Sequence, residues 1–152
     1  MSNELFSSIN LEGPYISECD LFVKTSAPAN ELACNVQIRT PKNIKLEHNE
    51  ENGEYELAHA MKIDVSLVEV SEDGNGPEAM HANLTMNGVI SITDRVKASE
   101  EEIMQSLLVN GVSLFYSSAR SYIEVLTGMS PMGRFTIPTI DPKSYVDSLS
   151  KD

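Results

Sequence analysis

The chain has no tryptophan, only two cysteines and three histidines, and 11 lysines and arginines against 23 aspartates and glutamates. Each scarcity excludes something. Cys19 and Cys34 are too few for a disulfide framework or a zinc site, and both read as small buried apolar residues in strands. A formal net charge of −12 repels phosphate backbones and anionic lipid, so nucleic acid and membrane surfaces are excluded as direct partners. No apolar run approaches the roughly 18 residues of a membrane span. Met1-Ser2-Asn3-Glu4-Leu5 has neither the basic start nor the apolar core of a secretory signal, so a cytoplasmic location is expected.

Chemical motifs are absent too. There is no glycine-rich phosphate loop, no dinucleotide fingerprint, no paired-histidine zinc motif and no nucleophile elbow. His48, His59 and His81 lack ligand spacing, so neither a metal nor a cofactor is expected. His59 follows the inward alternation of its strand and reads as a hydrogen-bonded core histidine. Asp73-Gly74-Asn75-Gly76 lacks the spacing of a calcium loop and reads as a turn. Tyr122 near Arg120 would need a base that the sequence does not show. The chain is not expected to be an enzyme.

What is present is a change of period. The 152 residues, 41% of them hydrophobic, suit one domain over 1–152. Up to about Thr93 apolar residues alternate; after Ser99 they recur every three to four positions, an α+β pattern. The first strand region runs from about Leu5 to Val23, with Pro14 predicting an edge or a bulge. Tyr15, Ser17, Cys19, Leu21 and Val23 are expected on one face of it. The loop Thr25 to Asn30 follows, then Cys34, Val36 and Ile38, a break at Pro41-Lys42-Asn43, and Ile44-Lys45-Leu46. Asn52-Gly53 signals a hairpin. The third strand carries Tyr55, Leu57, His59, Met61, Ile63, Val65 and Leu67 on one face. The fourth carries Met80, Ala82, Leu84, Met86, Gly88, Ile90 and Ile92. Four strands separated by turns suggest an antiparallel meander with a looser first crossover.

Ser99 before Glu100-Glu101-Glu102 is a capping box opening a helix of about 28 residues, with Gly128 expected as its cap. A second apolar stripe with Leu114, Tyr116 and Val125 suggests that this helix also faces another copy of the chain. Met129 to Ile140 is an apolar connector broken by Pro131, Gly133 and Pro138. Asp141-Pro142 opens a short last helix. Periodicity favours a connector packed on the sheet, and the methionines on strands and connector offer the alternative of an exposed, adaptable apolar groove.

The order of these elements, and several local runs, resemble the SecB family of bacterial export chaperones. Ile44-Lys45-Leu46-Glu47 is similar to the family's second strand, Tyr55-Glu56-Leu57 to the third, and Gly88-Val89-Ile90-Ser91-Ile92 to the end of the fourth. Leu114-Phe115-Tyr116-Ser117-Ser118-Ala119-Arg120, with Ile123 and Gly128, is similar to the helix signature. Ser117-Ser118 replaces the usual Pro-Tyr and so removes a kink. The match spans roughly residues 5–149 and marks a divergent member.

The resemblance implies a four-stranded antiparallel sheet, one long helix, an extended connector and a short C-terminal helix. It implies a homotetramer, a dimer of dimers, that binds unfolded preproteins without ATP and keeps them competent for Sec-dependent export. SecB-like relatives instead protect an antitoxin. A module for one small apolar ligand is a further alternative. The implied groove comprises Ile44, Leu46, Met61, Ile63, Met129, Met132, Phe135, Ile137, Tyr145, Val146 and Leu149. Glu18 is the implied first acid for docking the SecA motor and the second falls on Phe22 or, with a slip, on Asp20, while His81 and Asn83 stand where the family has an apolar residue and an acid. Leu107, Leu114, Tyr116 and Tyr122 are the implied oligomer contacts.

Overall fold

A computed structural model describes residues 9–26, 28, 30–41, 44–74, 76–93 and 98–149. Strands β1 (Ile9–Val23), β2 (Leu32–Arg39), β3 (Leu46–Asn49), β4 (Glu54–Glu69) and β5 (Glu78–Thr93) precede helices α1 (Glu100–Gly128) and α2 (Pro142–Leu149). The alternation along β4 and β5 is what makes them strands: successive side chains point to opposite faces. Tyr55 to Leu67 bury every second residue as expected, and Met80 to Ile92 do so except at Gly88, which is half-buried. Their inner faces meet α1, which buries Ile103, Leu107, Val112, Phe115, Ala119 and Ile123.

The expected four strands occupy four positions, but the second is split. β2 pairs with β4 from Leu32↔Glu69 to Arg39↔Lys62. After the interruption at Pro41, β3 resumes the ladder from Leu46↔Leu57 to Asn49↔Glu54. Lys42 and Asn43 of the expected break lie outside the described residues. The Asn52-Gly53 hairpin is present, with Gly53 at φ 68° and its N–H on Asn49 O at 2.8 Å.

The meander forms over the last three strand positions, while the loose first crossover carries β1 to the far side of β5. The sheet order is β1-β5-β4-β2, with β3 beside β2 on β4, all antiparallel. β2 and β3 together occupy one edge of β4, leaving the outer edge of β5 for β1. Pairing there sets Leu11, Cys19, Leu21 and Val23 opposite the inward Ile90, Leu84, Ala82 and Met80. Two register shifts, between Glu12 and Tyr15 and between Ile16 and Glu18, bend this edge strand as Pro14 predicted. The second shift overturns the expected face. It brings Ile16 opposite inward Met86, and sets Tyr15 opposite outward Asn87.

The capping box is complete. Ser99 Oγ accepts from Glu102 N at 3.2 Å and Glu102 Oε2 accepts from Ser99 N at 3.1 Å. Gly128 is not the cap; it remains helical, and Met129 at φ −92° ends the helix. Past the helix end, positive φ falls on Gly133 instead, at 82°, where a turn closes from Gly133 N to Ser130 O at 3.0 Å. Asp141 does cap α2, its Oδ1 accepting from Lys143 N at 3.1 Å. None of the described helices is long and apolar enough to cross a membrane.

Candidate functional site

The connector, residues 130–141, has no regular structure, so its backbone groups need partners elsewhere. One side of α1 provides them. Tyr116, Arg120, Glu124 and Thr127 recur at helical spacing and face the connector running back along the helix. Tyr116 Oη donates to Pro138 O, and Arg120 Nε to Ile137 O at 3.0 Å. Glu124 accepts from Thr136 Oγ1 at 2.7 Å and from Arg134 Nη2. Thr127 Oγ1 accepts the Phe135 N–H at 2.8 Å and donates to Ile123 O at 2.8 Å. Arg134 and Thr136 hold the Glu124 carboxyl below its ordinary pKa, the Arg134 bond first. Sequence reasoning missed this ladder. Its only signal was polar residues at i, i+4, i+8 and i+11 beside an apolar face.

The strap places Ile137 in the core and leaves Met132, Phe135 and Ile140 half-buried against it. Next to them, α2 contributes Tyr145, whose hydroxyl lies 3.3 Å from Thr40 Oγ1 and donates to Ile38 O at 3.4 Å. Leu32, Cys34, Val36 and Ile38 on β2 are half-buried on the same core. Burial raises the Cys34 thiol pKa. Because β2 pairs with β4 and with no other strand among the described residues, its second edge carries backbone groups outside any ladder. A half-buried apolar strip on one core thus includes β2, whose outer edge no other described strand covers, with Tyr145 tying α2 to the end of that strand.

The residues expected in the groove separate into four groups. Met132, Phe135 and Tyr145 lie in the strip. Ile44 and Leu46 are half-buried near the opposite end of the sheet, beside Tyr55 and Leu57. Met61, Ile63, Ile137 and Val146 are core. Met129, 86% exposed, follows the end of α1, and Leu149 is exposed at the end of α2. The β2 residues and Ile140 were not anticipated as part of this strip. The concavity between α1 and the connector, lined by Tyr116, Arg120 and Ile140 among others, holds about 70 Å³, far below a typical ligand pocket of roughly 300–1,000 Å³.

On the outer face of the sheet, Glu18 and Asp20 are both exposed and border one concavity with Arg39, Lys62, Asp64, Asn83 and Thr85. Asp20 lies 3.7 Å from His81 Nε2, and Glu78 2.6 Å from its Nδ1. Glu78 first, and Asp20 after it, raise the His81 pKa. This face mixes signs. Of the expected oligomer contacts, Leu107 and Tyr116 are buried within the chain. Leu114 is exposed and Tyr122 half-buried, on a flank of α1 that continues through Ser118, Ser121 and Val125. Tyr122 Oη donates to Cys19 Sγ at 3.7 Å, while Arg120 turns to the connector, so the two do not form a pair.

Cys19 corrects its expectation: it is exposed, because β1 is an edge strand. His59 is buried as expected, at 2% exposure, but neither ring nitrogen has a hydrogen-bond partner among the described residues. Burial lowers its pKa to about 4. His48 stacks on Tyr55 at 4.0 Å. No three His, Cys, Asp or Glu among the described residues are grouped to hold a metal. Gly74, at φ 90°, turns its N–H to Ser71 O at 3.0 Å, so the segment that lacks calcium-loop spacing forms a turn there; Asn75 lies outside the described residues.

Among solved structures, the chain is similar to a SecB-like chaperone of Mycobacterium tuberculosis in complex with a ChAD peptide from an antitoxin. That likeness has a TM-score of 0.60 and 12% identity, covering 90% of this chain and 93% of that one. It is also similar to a protein of unknown function from Streptococcus agalactiae, with a TM-score of 0.52 and 9% identity over 86% of this chain and 97% of that one. No family model and no curated protein sequence matches the chain. The likeness over 90% of the chain, with its antiparallel sheet, long helix and short last helix, shows that this chain has the SecB-like fold, in a divergent sequence.

Proposed function

We propose that the chain is an ATP-independent chaperone that holds unfolded polypeptide segments along the strip formed by β2, the connector and α2. The observation that carries this reading is the run of half-buried apolar side chains beside a strand edge that no other described strand covers. A client segment adds to that edge through main-chain hydrogen bonds, which are indifferent to sequence. Its apolar side chains cover Val36, Ile38, Phe135 and Tyr145 at roughly 25 cal/mol per Å². Folded proteins are passed over because their apolar residues are already covered. On this reading the site binds and does no chemistry, and the protein is a binding protein, placed in the cytoplasm, rather than an enzyme.

The solved neighbour with a bound antitoxin peptide supports a polypeptide client, and favours one antitoxin-like partner. Delivery of precursors to SecA is the second reading. It rests on Glu18 and Asp20, exposed on one sheet face, and is weakened by Arg39, Lys62 and His81 among them. Self-association to a tetramer belongs to the same proposal, through the apolar and small residues from Leu114 to Val125 on the free flank of α1.

Size exclusion with light scattering tests this reading. The protein is run alone, then with a urea-unfolded secretory precursor, and then with SecA or with an antitoxin encoded beside its gene. A species near four times 16.7 kDa that carries the unfolded chain supports the proposal. Capture of the antitoxin without SecA affinity selects the first form, and SecA affinity the second. A monomer that ignores unfolded chains overturns it.

A further inference from the structure

The buried residues of the core fall into two clusters, bridged by the half-buried Leu11 and Leu108. Tyr55, Leu57, Ile90, Ile92, Ile103 and Leu107 form one cluster. Met61 to Leu67, Met80 to Met86, Val112 and Phe115 belong to another. Between them lies one layer with little apolar bulk: His59 on β4, Gly88 opposite it on β5, and Gly111 on α1. A Cβ on Gly111 would lie 3.3 Å from the ring Cγ and Nδ1 of His59, so the glycine makes room for the imidazole. Phe115 closes the layer, meeting His59 edge-on at 4.6 Å and 87°. It also covers Gly88, where a Cβ would stand 2.9 Å from Cζ.

This layer has a weak side. Pairing of β4 with β2 ends at Lys62 and pairing with β3 begins at Leu57. Ala58 to Met61 therefore have no ladder partner on that edge among the described residues. The ring is 2% exposed with both nitrogens unpartnered, and no charged group among the described residues faces it. On β4 the other titratable inner residues are Tyr55 and, about 33 Å further along at 3.3 Å per residue, Glu69. The inner face of β5 from Met80 to Ile92 has none. The buried face of α1 has only Tyr116, committed to Pro138 O. On the β3 side Leu46 faces inward and Lys45 is exposed. An imidazolium here would be a buried charge without a counter-ion, which proteins avoid at high cost.

We infer that His59 is an acid-sensitive joint: protonating its ring parts α1 from the sheet at this layer, with water entering along Ala58 to Met61, while the clusters on either side stay folded. The closed form binds a proton only near pH 4, the water-exposed ring near its ordinary 6.5. Closure is thus complete above about pH 6.5 and weakens as pH falls towards 4. With these two values the opening equilibrium rises about 20-fold between pH 7 and pH 5. The inference does not depend on what the protein binds.

Amide hydrogen exchange of the intact protein at pH 7 and pH 5, corrected for intrinsic rates, reads the opening directly. The expected result is a rise of about 20-fold in opening for Ala58 to Met61 and Leu108 to Gly111. Protection should be retained at Val65 and Leu67 on one side of the layer, and at Tyr55 and Leu57 on the other. His59→Leu should abolish the rise. An NMR titration of the wild-type ring decides the matter if the variant does not fold. A ring titrating near 6.5 in the folded protein overturns the inference. So does unchanged exchange at pH 5, simultaneous opening of both clusters, or a His59→Leu variant with the wild-type pH dependence.

Discussion

Thr127→Val isolates one rung of the ladder that fixes the connector. Thr127 is fully buried, and its hydroxyl is the acceptor for the Phe135 N–H at 2.8 Å. Valine keeps the shape and removes the acceptor. Two responses are open to the chain. If the connector stays in place, a backbone N–H is left unsatisfied, which costs about 1–3 kcal/mol. If the connector lifts so that water reaches the N–H, the contacts of Phe135 with the core are lost, at a similar cost for a half-buried aromatic side chain. Either way the stability in urea should fall by about 1–3 kcal/mol. Exchange of the Phe135 amide should speed up by roughly 5- to 150-fold, since about 1.4 kcal/mol is a factor of ten. Thr127→Ser, which retains the oxygen, should recover most of both. Unaltered stability together with an unaltered Phe135 exchange rate in the valine variant would refute the claim that this hydroxyl anchors the strap.

Phe135→Asp should weaken binding of an unfolded client by about tenfold or more, as a charge replaces covered apolar area, while the mass by light scattering stays unchanged; a change in mass instead would make Phe135 an assembly contact. Ser99→Ala should cost about 0.5–2 kcal/mol in thermal or urea unfolding by removing the α1 cap, and a neutral result would show that the capping box contributes nothing. The strap should also respond to acid. The Glu124 carboxyl titrates below its ordinary value because of Arg134 and Thr136, so its contribution is present above about pH 4.5 and is lost as pH falls through the lowered value. Exchange at Arg134 to Thr136 should rise in that window and not between pH 7 and 5, and Glu124→Gln should remove the dependence; a rise centred above pH 5 contradicts the assignment.

The features legible in the sequence were those set by local period. Tyr55 to Leu67 and Met80 to Ile92 alternate without interruption because both strands are central and have one face on α1. Ser99 and Glu102 are three residues apart, and the capping box follows from chain chemistry alone. Features set by distant pairing were not legible. The bulge near Ser17 reverses the faces of Tyr15 and Ile16, and only the register against Met86 and Thr85 reveals it. Cys19 alternates with Leu21 and Val23 yet is exposed, because edge position is a property of strand order. The same holds for the strip. Cys34, Val36 and Ile38 read as a strand, but that the strand borders the sheet emerges only once β1 is seen to pair with β5. The ladder on α1 needed its partners, which are chiefly backbone carbonyls and an N–H of the connector and have no signature in side-chain pattern.

The central claim is that unfolded polypeptide lies along β2, the connector and α2. A photo-crosslinking phenylalanine analogue placed singly at Phe135, at Tyr145 and, on the outer sheet face, at Lys62 tests it most directly, with a urea-unfolded client diluted into each variant before irradiation. The account predicts client adducts from Phe135 and Tyr145 and none above background from Lys62. Adducts from Lys62 alone would place the client on the polar face and contradict it.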